Sequence, residues 1–173
     1  ATHAAEGWAR VKGKAGVCFA TSGPGATNLI TGIADAIMDS TPMVCITGQV
    51  PKHLLGTDAF QETDVVGITM PITKWNYQVT SAAEIPAVIA KAFYIANTGK
   101  PGPVLIDITK NAQFELMEWN GYQPCEHVRG YQPRLVPAQD KLEQAASIMN
   151  AAKEPVRVGG QGSRISRARE ALE

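Results

Sequence analysis

Residues 22–28, Ser-Gly-Pro-Gly-Ala-Thr-Asn, have the composition of a turn that can approach a ligand closely. Gly23 and Gly25 let the backbone bend tightly, and Pro24 fixes one backbone dihedral. A helix predicted to follow would offer unpaired amide hydrogens at its start, where an anionic group such as a phosphate can bind. The same pattern also suits a tight turn that only packs a strand against a helix, so these residues alone support both interpretations.

The flanking segments predict the elements that position this turn. A short apolar run of strand-forming residues, 16–21, precedes it, and apolar residues at helical spacing follow it over 26–39. Further strands are predicted at 43–47, 74–79 and 104–108, and further helices at 2–10, 64–69 and 82–96. Strands that alternate with helices indicate an α/β fold, a parallel sheet with helices on both faces. Ligands bind such sheets at the carboxyl ends of the strands, where the turn lies.

A second segment, residues 48–62, is predicted to be a long loop. It follows the second strand and has no clear hydrophobic periodicity. Loops of this length inside a domain are usually functional or disordered. Leu54, Leu55 and Phe60 argue against disorder, because disordered segments contain few apolar residues. We therefore expect an ordered, functional loop that faces the glycine turn.

Residues 111–137 are predicted to be an interdomain linker. Periodicity fails there, and glycines and prolines recur along the stretch. A helix at 139–152 and a short strand at 155–158 that runs into glycines predict the start of a second α/β domain. The predicted division is a first domain at 1–110, a linker at 111–137 and the start of a second domain at 138–173. Both ends have the pattern of interrupted helices, so a longer polypeptide is expected.

Composition and charge exclude several classes of function. Sixteen basic and sixteen acidic residues give a formal net charge of zero, which provides no electrostatic case for a nucleic-acid partner. No apolar run approaches the roughly 20 residues that cross a bilayer, so no membrane is expected. The cysteines lack metal spacing, and Cys18 and Cys45 are expected to be buried free thiols. These thiols fit a reducing compartment, cytoplasmic or, in a eukaryote, plastid or mitochondrial.

Four segments carry a resemblance to one family in their order and spacing: residues 21–28, 46–51, 56–62 and 102–107. Together they resemble the catalytic subunit of acetolactate synthase (acetohydroxyacid synthase). The glycine turn alone would indicate only the wider thiamine-diphosphate enzyme superfamily. The loop 56–62, Gly-Thr-Asp-Ala-Phe-Gln-Glu, is much more specific to acetolactate synthases.

The resemblance implies a fold and an activity for the whole polypeptide. Residues 1–110 would be most of the pyrimidine-binding domain for thiamine diphosphate, and 138–173 would begin a middle domain that binds FAD. The Mg²⁺ site would lie outside this chain. The family condenses two pyruvates, or pyruvate and 2-oxobutyrate, with release of CO₂ in branched-chain amino acid biosynthesis. Small 2-oxo acids and a homodimer or homotetramer are implied, and a regulatory small subunit is left open as a partner.

The resemblance also assigns roles around the turn and the loop. Pro24, Gly25 and Asn28 match the turn that lines the pyrimidine pocket. Phe60 and Gln61 match residues beside the thiazolium ring of the cofactor. There Gln61 can donate its amide to a substrate carboxylate or oxyanion, and Phe60 can form an apolar wall that excludes water.

Further residues are assigned by the same resemblance. Lys110 matches a lysine near the substrate channel, where it would attract anionic pyruvate. Lys100 stands where the family usually has an arginine near FAD, and it keeps the charge without the bidentate fork. The flavin-contacting glycines of the family are matched by Gly159, Gly160 and Gly162.

Two other interpretations remain open at the level of the sequence. Another thiamine-diphosphate carboligase, such as glyoxylate carboligase, has a related turn. Alternatively, the chain is a folded fragment without catalysis, because the family glutamate that activates the cofactor would precede Ala1. Glu6 is accordingly interpreted as a structural or solvated carboxylate, and the 173-residue chain alone is expected to be inactive.

Overall fold

The computed structural model describes residues 1–133 and 136–172, which form two compact units, Ala1–Gly130 and Tyr131–Glu173. Arg134 and Leu135 of the predicted linker, and Glu173, lie outside the described residues. The proposed correspondence of these units to domains of a longer protein stays a prediction. Among the described residues, no helix combines the length and the apolar character needed to span a membrane.

A four-stranded parallel sheet organises the first unit. Its strands are β1 (Gly16–Ala20), β2 (Met43–Gln49), β3 (Trp75–Val79) and β4 (Pro103–Thr109), in the spatial order β1-β2-β4-β3. Successive side chains of β2 and β4 are buried, and because successive residues point to opposite faces, both faces of these central strands are covered. The predicted α/β fold is confirmed.

Helices and short 3₁₀ turns connect the strands of the first unit. The helices are α1 (Thr2–Lys12), α2 (Pro24–Thr27), α3 (Ile30–Met38), α4 (Val65–Thr69), α5 (Ile85–Asn97) and α6 (Lys110–Phe114). The 3₁₀ turns are Lys52–Leu54, Met70–Ile72 and Ala82–Glu84. One core cluster joins apolar side chains of α1, α3 and α4 to those of β1, β2 and β4.

Ion pairs of Arg10 connect α1 to the end of α3, and one of its two partners, Glu6, is buried. Glu6 is 2% exposed, and its carboxylate accepts a hydrogen bond from Arg10 Nη2 at 2.6 Å. The same Arg10 nitrogen donates to Asp39 at 2.5 Å. These two partners raise the pKa of Arg10 above its usual value. Glu6 therefore has a structural role, which is the first of the two interpretations, structural or solvated, that the sequence suggested.

Cys18 and Cys45 are buried free thiols, as predicted. They lie directly opposite each other on β1 and β2, with 3.5 Å between their sulfur atoms. Cys125 is also free and is partly exposed.

Three details differ from the sequence-based expectation. The helix predicted at 26–39 is two helices, because the amide of Leu29 bonds back to Ala26 at 3.0 Å and tightens the turn between them. Helix α6 lies at the start of the predicted linker and is too short to give a periodic pattern. The strand predicted at 155–158 is wrong, since these residues are in no regular element.

The missing strand has a physical reason. Val156 and Val158, which suggested a buried strand, are 87% and 92% exposed. A strand needs a neighbour for its backbone hydrogen bonds, and the regular elements described in the second unit are helices. These are α7 (Gln139–Ala151), α8 (Gln161–Ile165) and α9 (Arg169–Leu172).

Candidate active site

An open cleft of about 480 Å³ lies at the carboxyl ends of β1, β2 and β4, within the usual size range of small-molecule sites. Strand ends form its floor, and the exposed Phe19 and Phe114 contribute apolar surface. The full lining is Phe19, Ala20, Thr21, Ser22, Ile46, Thr47, Gly48, Gln49, Ile108, Lys110, Gln113 and Phe114. The cleft lies where ligands bind in open parallel sheets.

The glycine turn contacts the loop 56–62. Gly23 has a φ of 58°, and a Cβ placed on it would lie 2.8 Å from the carbonyl oxygen of Gln61 and 2.9 Å from its Cα. Only glycine allows both this backbone conformation and this approach. The two segments that were predicted to face each other are therefore in direct backbone contact.

Other residues of the turn serve packing or face solvent. A Cβ on Gly25 would lie 2.6 Å from Cγ2 of Thr21, so this glycine lets the turn pack closely after β1. The Gly25 amide donates to the carbonyl of Ser22 at 3.3 Å, so it bonds within the turn. Pro24 and Asn28 are exposed. Helix α2 has four residues, so its start is a tight turn rather than the long helix that was expected.

The carboxylate of Glu62 organises the loop 56–62 from within. It accepts hydrogen bonds from the backbone amides of Gly56 and Ala59, the second at 2.9 Å. These bonds, led by that from Gly56, lower the pKa of Glu62. Because a single side chain holds two separated amides, the loop closes around its own carboxylate.

Phe60 and Gln61 project from this closed loop. Phe60 is 89% exposed, and Gln61 is also exposed. Gln61 adopts a φ of 59°, an uncommon backbone conformation for a residue other than glycine, and such residues concentrate at functional sites. The pair presents an aromatic ring and an amide beside the glycine turn, which are the groups expected from the sequence.

The predicted lysine and glycine sites lie in different places. Lys110 is the first residue of α6 and lines the cleft. Lys100 precedes β4, at the opposite edge of the sheet, and its Nζ lies 3.4 Å from the carbonyl of Ile37. The glycines Gly159, Gly160 and Gly162 belong to the second unit, around the start of α8. The cleft therefore includes Lys110 and excludes Lys100.

A buried carboxylate below the cleft was not identified from the sequence. Asp107 on β4 is fully buried and accepts hydrogen bonds from Thr47 at 2.7 Å, and from Gln49 and Gln78 at 3.0 Å each. Burial raises the pKa of Asp107, and these bonds partly oppose that rise. The signal in the sequence was the presence of polar residues, Thr47, Gln49 and Asp107, within otherwise apolar strands.

Known proteins similar to this chain share its domain type. A family model described as "Thiamine pyrophosphate enzyme, N-terminal TPP binding domain" matches residues 1–68. An acetolactate synthase large subunit of Corynebacterium glutamicum is 52% identical over 172 residues, which cover 99% of this chain and 27% of that protein. One of Mycobacterium tuberculosis is 51% identical over 172 residues, with 99% and 28% covered. A chloroplastic acetolactate synthase of Arabidopsis thaliana is 49% identical over 161 residues, with 92% and 24% covered.

The parallel sheet, the cleft at its carboxyl edge and the matched domain define a thiamine pyrophosphate enzyme domain. Within that class, the curated homologues that are about 50% identical over 99% of this chain are acetolactate synthase large subunits. The chain spans about a quarter of the length of the curated relatives it matches.

We expect Gly23→Ala to destabilise the first unit more than Gly56→Ala. Both glycines have a positive φ, 58° and 78°, so both alanines incur backbone strain of about 1 kcal/mol or more. A Cβ on Gly56 meets nothing within 4 Å, whereas one on Gly23 overlaps the backbone of Gln61. Urea unfolding of the two variants measures the difference. An equal loss of unfolding free energy in the two variants would show that the close contact between turn and loop does not contribute to stability.

The order of the loop 56–62 is expected to depend on the ionisation of Glu62. Since the folded-state pKa of Glu62 is lowered, its stabilisation of the loop is fully present above the ordinary glutamate pKa of about 4.3. It is lost as the pH falls through the lowered value. An NMR titration of the Gly56 and Ala59 amides measures the midpoint. Glu62→Gln should abolish the pH-dependent change at these two amides, and the control Glu118→Gln should preserve it. A midpoint at or above about pH 4.3 would contradict the assignment of this change to Glu62.

Proposed function

We propose that this chain is part of an acetolactate synthase and forms one wall of its active site. The backbone contact between Gly23 and Gln61 is the observation that carries the proposal. It places the loop that is specific to acetolactate synthases against the glycine turn of thiamine-diphosphate enzymes. Identity of about 50% to acetolactate synthases along the chain supports the same activity.

The cleft suits the ring portion of thiamine diphosphate better than its phosphates. Phe19 and Phe114 offer apolar surface to a flat ring, and Gly48 in the floor of the cleft has no side chain to cover its backbone. Lys110 is the cationic residue in the lining. One lysine is a weak site for a diphosphate, so we propose that residues outside this chain hold the phosphates and Mg²⁺.

In the proposed reaction, pyruvate loses CO₂ and its remaining two carbons join a second 2-oxo acid, pyruvate or 2-oxobutyrate. Bound thiamine diphosphate supplies the nucleophilic carbon for these steps. Gln61 donates its amide to the carboxylate or the developing oxyanion of the substrate. Phe60 supplies an apolar wall that excludes water. Lys110 attracts the anionic substrate towards the cleft.

FAD and the subunit assembly belong to the same proposal. Gly160 directly precedes α8 and Gly162 is its second residue. A Cβ on either glycine would meet nothing within 4 Å, so their backbone is accessible to a large ligand. We propose Gly159, Gly160, Gly162 and Lys100 as FAD contacts of the full-length protein. We propose a homodimer or homotetramer that acts on small 2-oxo acids in the cytoplasm, or in a plastid or mitochondrion of a eukaryote.

Acetolactate formation from pyruvate tests the activity. The full-length protein, with thiamine diphosphate, Mg²⁺ and FAD, is expected to produce acetolactate in a colour assay. Turnover of glyoxylate without acetolactate would overturn the proposal. The 173-residue chain alone is expected to be inactive under the same conditions, and its consumption of pyruvate would refute that expectation.

Gln61→Ala in the full-length protein should lower kcat by about 10-fold or more, as loss of an oxyanion donor does. Gln144→Ala is the matched control, because Gln144 is an exposed glutamine on α7. The control should leave kcat close to that of the unmodified enzyme. An unchanged kcat in Gln61→Ala would remove Gln61 from the site.

A further inference from the structure

We propose that Asp107 and Gln49 are positioning residues that hold the loop bearing Gln61 against the glycine turn. The catalytic part of this inference rests on the proposed function, and the structural part does not. Asp107 lies on β4 and Gln49 at the end of β2, both below the loop in the chain's central strands. Gln49 also lines the cleft, and Asp107 is not among the lining residues.

Asp107 is a carboxylate surrounded by neutral donors. It is 0% exposed, and its hydrogen-bond donors are the hydroxyl of Thr47 and the amides of Gln49 and Gln78. Burying a carboxylate is costly unless its oxygens are satisfied. These three bonds therefore require the Gln49 amide to direct its nitrogen towards Asp107.

Gln49 connects this carboxylate to both ends of the loop. Its Nε2 donates to the carbonyl of Thr63 at 2.8 Å as well as to Asp107, and its Oε1 accepts from the amide of Val50 at 2.9 Å. Residues 51–62, which include the loop 56–62, lie between Val50 and Thr63, so one buried side chain joins the two ends of this longer segment. If the amide rotated by half a turn, both backbone bonds would be lost. Asp107 selects the orientation that keeps them.

The remaining donor provides a matched control. Gln78 Nε2 donates to the same oxygen of Asp107, Oδ2, at the same distance of 3.0 Å. Gln78 lies on β3, and the bonds to Val50 and Thr63 come from Gln49. Gln49→Ala and Gln78→Ala therefore remove equivalent bonds to Asp107, while Gln49→Ala also releases the loop.

Hydrogen exchange of the loop amides in the 173-residue chain tests the structural part. Gln49→Ala should accelerate exchange at Gly56 and Ala59 at least about 10-fold, the change expected for roughly 1.4 kcal/mol of lost local stability. In Gln78→Ala, the exchange rates of these two amides should stay close to those of the unmodified chain. Equal acceleration in both variants, or none in Gln49→Ala, would overturn the proposal.

Substitution of Asp107 supplies a second comparison. In Asp107→Asn, the new amide can direct its oxygen to Gln49 and its nitrogen to Thr47. The Thr47 hydroxyl can accept this bond and can itself donate to the carbonyl of Ile106. Asp107→Asn should therefore preserve slow exchange in the loop, whereas Asp107→Ala should accelerate it. If Asp107→Ala does not fold, Gln49→Ala still decides the question. Rapid exchange in a folded Asp107→Asn would contradict the proposed orientation of the amide.

A double-mutant cycle in the full-length enzyme tests whether Gln49 acts through Gln61. Gln49→Ala should lower kcat about 10-fold in the unmodified enzyme and have little effect in a Gln61→Ala background, because residues that act as a unit are not additive. If Gln49→Ala lowered kcat by the same factor with and without Gln61→Ala, the positioning role would be overturned. If the full-length protein forms no acetolactate, the proposed function fails, while the exchange experiment still decides the structural part.

Discussion

The register of the parallel strands determines where the glycine turn, the loop 56–62 and Lys110 leave the sheet. Ala20 of β1 pairs with Thr47 of β2, and Thr47 pairs with Asp107 of β4, so the three strands end at one edge of the sheet. The glycine turn, the loop 56–62 and Lys110 all follow these ends. They are separated along the chain, and the backbone pairing brings them to one edge of the sheet, where Ser22 of the turn and Lys110 line the cleft and the loop contacts the turn at Gly23. A shift of the β4 register by one residue would send the side chain of Asp107 to the opposite face, away from Thr47 and Gln49.

Polar contacts of two kinds convert this edge into a defined surface. Inside the loop, the carboxylate of Glu62 satisfies backbone amides that no regular element would pair. Below the loop, the Gln49 amide joins the chain on either side to the sheet. Both carboxylates, Glu62 and Asp107, have neutral donors, so the geometry depends on hydrogen bonds rather than on ion pairs.

The sequence predicted the features that local patterns encode. Apolar runs predicted β2 and β4 because central parallel strands are buried on both faces, and the strand-forming residues of β1 predicted that edge strand although Val17 and Phe19 are exposed. Two glycines around Pro24 predicted the turn. Asp107 was missed because its role depends on donors from two other strands, which no local pattern reveals. The strand at 155–158 failed for the converse reason: Val156 and Val158 have strand propensity, but the described second unit provides no neighbouring strand. Resemblance, rather than spacing, pointed to Phe60 and Gln61.

The shape of the loop 56–62 depends on backbone amides and on one internal carboxylate, while Phe60 and Gln61 face outward from it. The outward side chains and the internal scaffold are thus separate properties of the same seven residues. Exchanging the outward pair would change the groups that the loop presents without removing these hydrogen bonds, since neither side chain makes them. A fold arranged in this way can acquire new substrates through single substitutions, and the sheet beneath need not change.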